Sequence, residues 1–210
     1  SARNHPLMDC ALPVLPPLLR QAGKPVASFV VLALTLTGCT RAENLNIVEH
    51  VEITAHRGSS AAAPENTLAA FRRAIADGAD YIELDVQTCA DGAVVVIHDR
   101  DLMRVAGDPR RVEDLTLEEL RQVDVGRAFA PEFAGEGVPT LEEVLALVRG
   151  KVRLNVELKY NRPDPSLAPA VLNLLRREQF LDQCVITSFD AAAVCAVRKT
   201  EPSARTGLIV

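Results

Sequence analysis

From Val51 onward, short runs of β-branched and aliphatic residues alternate with longer stretches in which hydrophobic positions recur at helical spacing. A strand places alternate side chains on opposite faces, whereas a helix returns to the same face every three or four residues. The candidate strands are Val51–His56, Tyr81–Val86, Val94–His98, Val152–Leu158, Cys184–Ser188 and Arg205–Val210. Because helical stretches separate most of these strands, the pattern predicts an α/β fold with parallel strands and helical crossovers.

Three predicted helices have recognisable ends. The stretch Asn66–Asp77 places Leu68, Phe71 and Ile75 on one face and stops before Gly78, a residue type that often follows the last turn of a helix. Two capping boxes, in which a Thr and a Glu satisfy the free N–H groups of a first turn, are Thr116 with Glu119 and Thr140 with Glu143. Each of these boxes predicts the start of another helix.

The connection Gln87–Ala93, between the second and third candidate strands, is too short to hold a helix. A parallel crossover normally needs about a dozen residues. The Asp91-Gly92 pair is typical of a hairpin turn, and an extended return of the chain is the alternative. Both paths bring His98 close to the second strand.

Residues 1–50 differ in composition from the rest of the chain. A basic flank precedes an uncharged run from Val26 to Gly38, which is shorter than the ~20 apolar residues of a spanning helix but fits the core of a signal peptide. The following Cys39 completes a resemblance to a bacterial lipoprotein signal. The tail of a transmembrane bundle and an unprocessed leader are the alternatives. We therefore expect a hydrophobic leader or membrane anchor with a tether, which places the protein at the membrane of a bacterial cell envelope.

Composition and charge narrow the class of protein. With 210 residues, 48% hydrophobic and 24% charged, the chain can bury one sizeable core and is not a disordered protein. A net charge of −5 without a clustered basic face argues against a nucleic-acid partner. The five cysteines are far apart and form no C-x-x-C pair, so neither a disulfide framework nor a zinc site is indicated.

Acidic residues share one face of two predicted strands. The period of two sends Glu83 and Asp85 to one face and the neighbouring aliphatic residues to the other. The fourth candidate strand repeats this arrangement with Asn155, Glu157 and Lys159. Burying like charges is costly unless a cation neutralises them. The three acids therefore predict a divalent cation, with Mg²⁺ or Ca²⁺ favoured over zinc by the oxygen donors; a solvent-facing strand with chance acids is the alternative.

Two of the four histidines, His56 and His98, lie at the ends of predicted strands. In a barrel these ends carry the active site. A lone histidine there is more often structural, but two of them beside three acids favour catalysis. Imidazole serves as general base or general acid near neutral pH, and cleavage of a phosphodiester needs both. Arg57 adds a planar guanidinium suited to phosphate oxygens.

These residues fall into an ordered series of motifs. The motifs are His56-Arg57-Gly58, Pro64-Glu65-Asn66-Thr67, Glu83-Leu84-Asp85-Val86, Asp91-Gly92, His98-Asp99, Pro139-Thr140-Leu141 and Glu157-Leu158-Lys159. Each alone is weak evidence, but in this order and spacing the chain resembles the glycerophosphodiester phosphodiesterases over about residues 51–210. The stretch Ile53–Thr67 most resembles that of bacterial members fused to a membrane domain.

The resemblance implies a fold, a site and a reaction. The fold would be a TIM-type (β/α) barrel with a small insertion after the third strand, at about Arg100–Gly137. The implied roles are metal binding for Glu83, Asp85 and Glu157, acid–base catalysis for His56 and His98, phosphate binding for Arg57 and Lys159, and support of the histidine loop for Glu65 and Asn66. The implied reaction is metal-dependent hydrolysis of glycerophosphodiesters to sn-glycerol 3-phosphate and an alcohol. A lysophospholipase D-like hydrolase and a catalytically silent envelope binding module are the alternatives.

The last candidate strand ends at Val210, the final residue. A TIM barrel has eight strands. We therefore expect a barrel truncated after its sixth strand, with unpaired edges and poor activity.

Overall fold

Most strands of the protein lie in one mainly parallel sheet, in a computed structural model that describes residues 51–210. The predicted leader, including Cys39, lies outside the described residues. The strands are β1 (Thr54–His56), β2 (Tyr81–Thr88), β3 (Val94–Val96), β4 (Asp101–Leu102), β5 (Asp108–Arg111), β6 (Arg153–Leu158), β7 (Cys184–Ser188) and β8 (Arg205–Leu208). The helices are α1 (Leu68–Ala76), α2 (Met103–Ala106), α3 (Leu117–Leu120), α4 (Leu141–Val148), α5 (Leu167–Arg177) and α6 (Ala191–Thr200).

The sheet runs in the order β1-β2-β6-β7-β8, with neighbouring strands parallel. Each of the six predicted strands is present, but several bounds differ from the prediction. The first begins at Thr54 rather than Val51, the third ends at Val96 rather than His98, and the last ends at Leu208 rather than Val210. The second extends to Thr88 rather than Val86, and the fourth begins at Arg153 rather than Val152. The aliphatic residues of β2 and β6 that face the helices are fully buried beneath α1, α4 and α5. This core fixes the register of β2 against β6, because a slip of one residue would exchange the two faces.

The third predicted strand departs from the parallel pattern. β3 pairs antiparallel with the end of β2, Val96 opposite Val86 and Val94 opposite Thr88. The tight turn between them places Gly92 at φ +82°. The hairpin hypothesis is therefore right and the extended return is wrong, because Asp91-Gly92 supplies the backbone conformation that a short hairpin needs.

The predicted insertion after the third strand forms its own small layer. It contains β4, β5, α2 and α3, and its aliphatic residues build a second hydrophobic cluster. β3 joins the two clusters, because Val94 and Val96 face the main core whereas Val95 and Ile97 face the insertion. The insertion thus packs on the back of the strand that leads to His98.

The helix predicted over Asn66–Asp77 begins later than expected. Asn66 has φ +56° and lies outside the helix, while Thr67 caps it by accepting a hydrogen bond from the Ala70 N–H at 3.2 Å. The predicted stop at Gly78 is confirmed, with φ +79°. Both predicted capping boxes, Thr116 with Glu119 and Thr140 with Glu143, are also confirmed. Within residues 51–210, no helix combines the length and apolar character that crossing a bilayer requires.

Candidate active site

Three carboxylates from two neighbouring strands meet at one place in the sheet. Glu83 and Asp85 lie on β2, and Glu157 lies on β6 directly opposite Asp85. One oxygen of each carboxylate lies within 4.8 Å of the other two, and all three side chains are buried. The period of two and the in-register pairing of β2 with β6 are what bring these acids to one face. This grouping was predicted from the sequence.

Two cationic side chains partly neutralise the acids. The Lys159 ammonium lies 2.8 Å from Glu157 Oε1 and 3.8 Å from Asp85 Oδ1. Arg57 Nε lies 3.4 Å from Asp85 Oδ2, at an angle that makes no hydrogen bond. Three carboxylates therefore face two cations, so the cluster keeps an excess of negative charge when all are ionised.

The cluster fits a bound divalent cation. Asp85 Oδ1 is buried and accepts no hydrogen bond. A buried polar atom without a partner is costly and needs an explanation. Carboxylate oxygens are the ligands that Mg²⁺ and Ca²⁺ prefer. Glu83, Asp85 and Glu157 thus supply the donor set that such an ion would require.

The carboxyl group of Glu83 is the most perturbed acid in the cluster. Burial, with the nearby charge of Asp85 adding to it, raises the pKa of Glu83 to about 7, against the opposing hydrogen bond from the Arg57 N–H. Because this pKa lies above its ordinary value of 4.5, protonation of Glu83 stabilises the cation-free fold. That contribution is fully present below the ordinary pKa and is lost as the pH rises through about 7.

Cation binding should show the opposite pH dependence, because a cation binds the deprotonated carboxylate. We expect saturating Ca²⁺ or Mg²⁺ to raise the Tm more at about pH 8 than at about pH 5.5. Calorimetric unfolding in EDTA and in each cation measures this difference. The same Tm increase at both pH values would contradict the prediction, and Glu83→Gln should remove most of the pH dependence.

The first predicted catalytic histidine, His56, ends β1 opposite Glu83. Its side chain is 67% exposed, and its Nε2 lies 3.8 Å from Glu83 Oε2. The imidazole is therefore next to the acids and also open to solvent, as a group that exchanges protons with a substrate must be.

The second predicted catalytic histidine, His98, follows β3. Its Nδ1 lies 2.6 Å from Asp99 Oδ1. The Gln87 side-chain amide donates to the carbonyl oxygens of Ile97, His98 and Asp99, at 2.9, 3.1 and 2.8 Å. The Asn161 amide donates to the His98 carbonyl at 3.0 Å. The loop that carries this imidazole is thus held by one residue of β2 and by one residue of the segment that follows β6.

The loop after His56 is held by the residues predicted to support it. The Arg57 N–H donates to Glu83 Oε2 at 2.8 Å, and Arg57 Nη1 donates to Glu65 Oε1 at 3.0 Å. The Asn66 amide donates to Asp85 Oδ2 at 2.9 Å, and its N–H donates to the Arg57 carbonyl at 3.0 Å. Both Arg57 and Asn66 have left-handed backbones, with φ of +55° and +56°. Their strained backbone conformations direct both side chains towards the Asp85 carboxylate.

The structure links all nine predicted site residues, but several of their partners were not predicted. His98 is connected to Glu65 through Asp99 and Arg104. Gln87 lies two residues after Asp85 on the same strand face, so the period of two could have identified it. Phe189 is 63% exposed, and its ring centroid lies 5.6 Å from the Lys159 ammonium. No sequence signal singled out Arg104 or Phe189.

A cavity of about 360 Å³ adjoins Glu157, one of the three acids. Its lining includes Glu157, Lys159, Asn161, Phe189 and Asp190. Its polar and charged walls suit a small, hydrophilic substrate.

Comparison with known proteins identifies the family of the chain. The glycerophosphoryl diester phosphodiesterase family matches residues 56–210. A glycerophosphodiester phosphodiesterase of Caldanaerobacter subterraneus is 41% identical over 159 residues, which cover 75% of this chain and 65% of that protein. Another, of Bacillus altitudinis, is 38% identical over 154 residues, covering 72% and 63%. The chain thus spans just under two thirds of the length of these curated relatives.

Solved structures show the same similarity. A glycerophosphodiester phosphodiesterase of Agrobacterium tumefaciens has 36% identity and a TM-score of 0.67, with 74% of this chain and 65% of that chain covered. A phosphodiesterase of Oleispira antarctica, solved in complex with the product sn-glycerol-3-phosphate, has 31% identity and a TM-score of 0.71, covering 76% and 66%.

The predicted fold class, a TIM-type α/β barrel, is confirmed by these neighbours and by the mainly parallel sheet. With the family matched over residues 56–210 and the acidic cluster in place, the chain belongs to the glycerophosphoryl diester phosphodiesterase family.

Proposed function

We propose that the protein hydrolyses glycerophosphodiesters to sn-glycerol 3-phosphate and an alcohol, and that it needs Ca²⁺ or Mg²⁺ to do so. The observation that carries the proposal is the buried acidic cluster of Glu83, Asp85 and Glu157, which lies beside two histidines in a chain of this family. The product complex of the Oleispira antarctica relative supports the substrate class.

Glu83, Asp85 and Glu157 would hold the cation, which would neutralise charge on the phosphoryl oxygens and orient the substrate. Arg57 and Lys159 lie against the same carboxylates and carry the donors that bind phosphate oxygens. Their contacts with Asp85 and Glu157 keep the guanidinium and the ammonium group at the site before a substrate arrives.

His56 and His98 would share the proton transfers. One imidazole removes a proton from the attacking water or glycerol hydroxyl, and the other donates a proton to the departing alcohol oxygen as its bond to phosphorus breaks. Attack by water gives glycerol 3-phosphate directly, whereas attack by the hydroxyl gives a cyclic phosphate, which a water molecule then opens by breaking one P–O bond. The Asp99 carboxylate holds Nδ1 of His98, which leaves Nε2 as the atom available for transfer. The exposed ring of His56 is free to contact the substrate.

The test is release of glycerol 3-phosphate from glycerophosphocholine by the purified full chain, in Ca²⁺, in Mg²⁺ and in EDTA. We expect release that is sensitive to the chelator and reduced roughly 10²- to 10⁴-fold by His56→Ala. The comparison between the two cations assigns the metal. A folded protein that binds either cation but releases no product would refute the proposed activity and favour the envelope binding module.

A lysophospholipase D-like activity is the second candidate. A cavity of about 410 Å³ lies between α5 and α6, and its lining includes Pro163, Ala168 and Leu172. Tyr160 and Asp190 line both this cavity and the one beside Lys159, so an acyl chain would have apolar space next to the site. Relative turnover of lysophosphatidylcholine and glycerophosphocholine separates the two activities. Faster turnover of the acylated substrate would favour the second candidate.

We also propose that the protein is attached to a membrane of the bacterial cell envelope through residues 1–50. The support is the uncharged run from Val26 to Gly38, the following Cys39, and the resemblance of Ile53–Thr67 to members fused to a membrane domain. Fractionation of cells that express the full chain tests this. Loss of membrane recovery in a Cys39→Ser variant would identify lipidation, whereas recovery that survives the change would favour a transmembrane bundle.

A further inference from the structure

One arginine of the insertion bridges the two loops that carry the histidines. Arg104, on α2, donates from Nε to Asp99 Oδ2 at 2.6 Å. It also donates from Nη1 and Nη2 to the two oxygens of Glu65, both at 2.7 Å. Asp99 follows His98, and Glu65 belongs to the loop that follows His56.

The contacts continue on both sides of this arginine. Beyond Asp99, the other carboxylate oxygen lies 2.6 Å from His98 Nδ1. Beyond Glu65, Oε1 accepts a hydrogen bond from Arg57, which in turn lies against Asp85. A continuous series of charged contacts therefore runs from His98 to the acidic cluster, and Arg104 is its middle member.

Arg104 is placed by the insertion rather than by the parallel sheet. Its neighbour Leu102 is fully buried in the hydrophobic cluster of the insertion, and Val105 packs against the same cluster. The guanidinium is thereby held between two loops that leave different strands. Burial raises the pKa of Glu65 and of Asp99, but the hydrogen bonds and charge of Arg104, together with those of a second partner, Arg57 for Glu65 and His98 for Asp99, lower both pKa values overall.

The geometry of the bridge requires a guanidinium. All three nitrogens of the planar group donate, two of them to one carboxylate in a forked arrangement and the third to another. A lysine ammonium is a single point charge and cannot keep the same fork. The bridge therefore depends on the shape of the arginine as well as on its charge.

We propose that Arg104 is a positioning residue that fixes the imidazole of His98, through Asp99, relative to the loop of His56, through Glu65. The expected effect on kcat rests on the proposed function, whereas the expected effect on the His98 ring does not. The imidazole keeps its proton on Nδ1 only while Asp99 stays in place, so loosening Asp99 releases both the orientation and the tautomer of His98.

The effect should appear in catalysis more than in stability. The Arg104 side chain is 49% exposed, and ion pairs at such positions contribute little to the free energy of unfolding. In contrast, a displacement of about 1 Å in a catalytic group lowers turnover by about 10²-fold. Substrate binding changes less, because Arg57 and Lys159 are the proposed phosphate ligands and both remain.

The experiment compares Arg104→Met and Arg104→Lys with a matched control, Arg100→Met. Arg100 also belongs to the insertion and lies two residues from His98, but it pairs with Glu113, at 2.8 Å. Two readouts are used. One is kcat and KM for glycerophosphocholine, and the other is the ¹⁵N chemical shifts of the His98 ring, which report which nitrogen carries the proton.

We expect Arg104→Met to lower kcat roughly 10- to 100-fold, with KM changed by no more than about threefold. The share of His98 protonated on Nδ1 should fall in the same variant. Arg104→Lys should be intermediate in both readouts, and Arg100→Met should resemble the unsubstituted protein.

Unchanged His98 shifts and unchanged kcat in Arg104→Met would overturn the proposal. Full retention of both in Arg104→Lys would also overturn it, because charge alone would then suffice. If the unsubstituted protein hydrolyses no glycerophosphodiester, the proposed function fails, but the ring shifts still decide whether Arg104 positions His98. If Arg104→Met does not fold, Arg104→Lys carries the same two readouts.

Discussion

Replacing Asp85 with asparagine is expected to lower kcat/KM for glycerophosphocholine by about 10²- to 10³-fold, because the proposed cation would lose one of its three carboxylate ligands. The change keeps the size of the side chain and removes one charge. Asp85 is the most deeply buried of the three acids, and its Oδ1 has no hydrogen-bond partner. The Tm increase produced by Ca²⁺ or Mg²⁺ should disappear together with the activity.

A matched control for this variant is Asp77→Asn. Asp77 is an exposed acid that pairs with Arg73 across one helical turn, at 2.8 Å. Losing such an exposed pair changes stability very little, so both activity and the cation effect should persist. The cation-free Tm of the Asp85→Asn variant should be close to that of the unsubstituted protein, since repulsion between Asp85 and Glu83 is also relieved. Retained cation binding in Asp85→Asn would contradict the proposed metal centre.

Replacing Gly58 with alanine is expected to destabilise the protein by roughly 2–5 kcal/mol, from the two causes that act at this position. Gly58 has φ +79°, which is unfavourable for a residue with a side chain. A methyl group there would also lie 2.8 Å from the backbone carbon and the Cβ of Ala70, in α1. Because α1 is packed on the sheet through Phe71, neither partner can move away cheaply. Urea denaturation measures the loss.

Gly92→Ala separates the two causes. Gly92 has nearly the same backbone, φ +82°, but nothing lies within 4 Å of its added methyl group. This variant should therefore lower the free energy of unfolding only by the cost of the left-handed backbone, roughly 1–2 kcal/mol. Equal losses for the two variants would show that the contact with Ala70 is unimportant. A larger loss for Gly58→Ala, together with reduced activity, would show that this close approach fixes the loop after His56.

The strands that carry the acids could be predicted from the sequence because aliphatic and polar residues alternate along them without interruption. The aliphatic residues of β2 and β6 demand a buried face, and that requirement automatically directs Glu83, Asp85 and Glu157 to the other side. The capping boxes of α3 and α4 were equally predictable, because both partners lie within four residues of each other.

Features that depend on tertiary contacts were not predictable. Asn66 continues a helical pattern in the sequence, but its hydrogen bond to Asp85 holds it in a left-handed conformation outside α1. The bridge from Arg104 to Glu65 joins residues far apart in the chain through polar side chains, which leave no periodic signal. The helices α5 and α6 were expected only as unspecified crossovers, since neither begins with a capping box.

The pairing of β2 with β6 also determines the order in which folding and ion binding can occur. Asp85 and Glu157 are opposite each other, yet β3, the whole insertion and α4 lie between them in the chain. Closing such a long connection costs chain entropy before any contact repays it, and non-local strand pairs therefore form slowly. A nascent chain cannot assemble the three acids until β6 has been synthesised and has docked. An ion that binds them afterwards is expected to lengthen the lifetime of the native state rather than to hasten its formation.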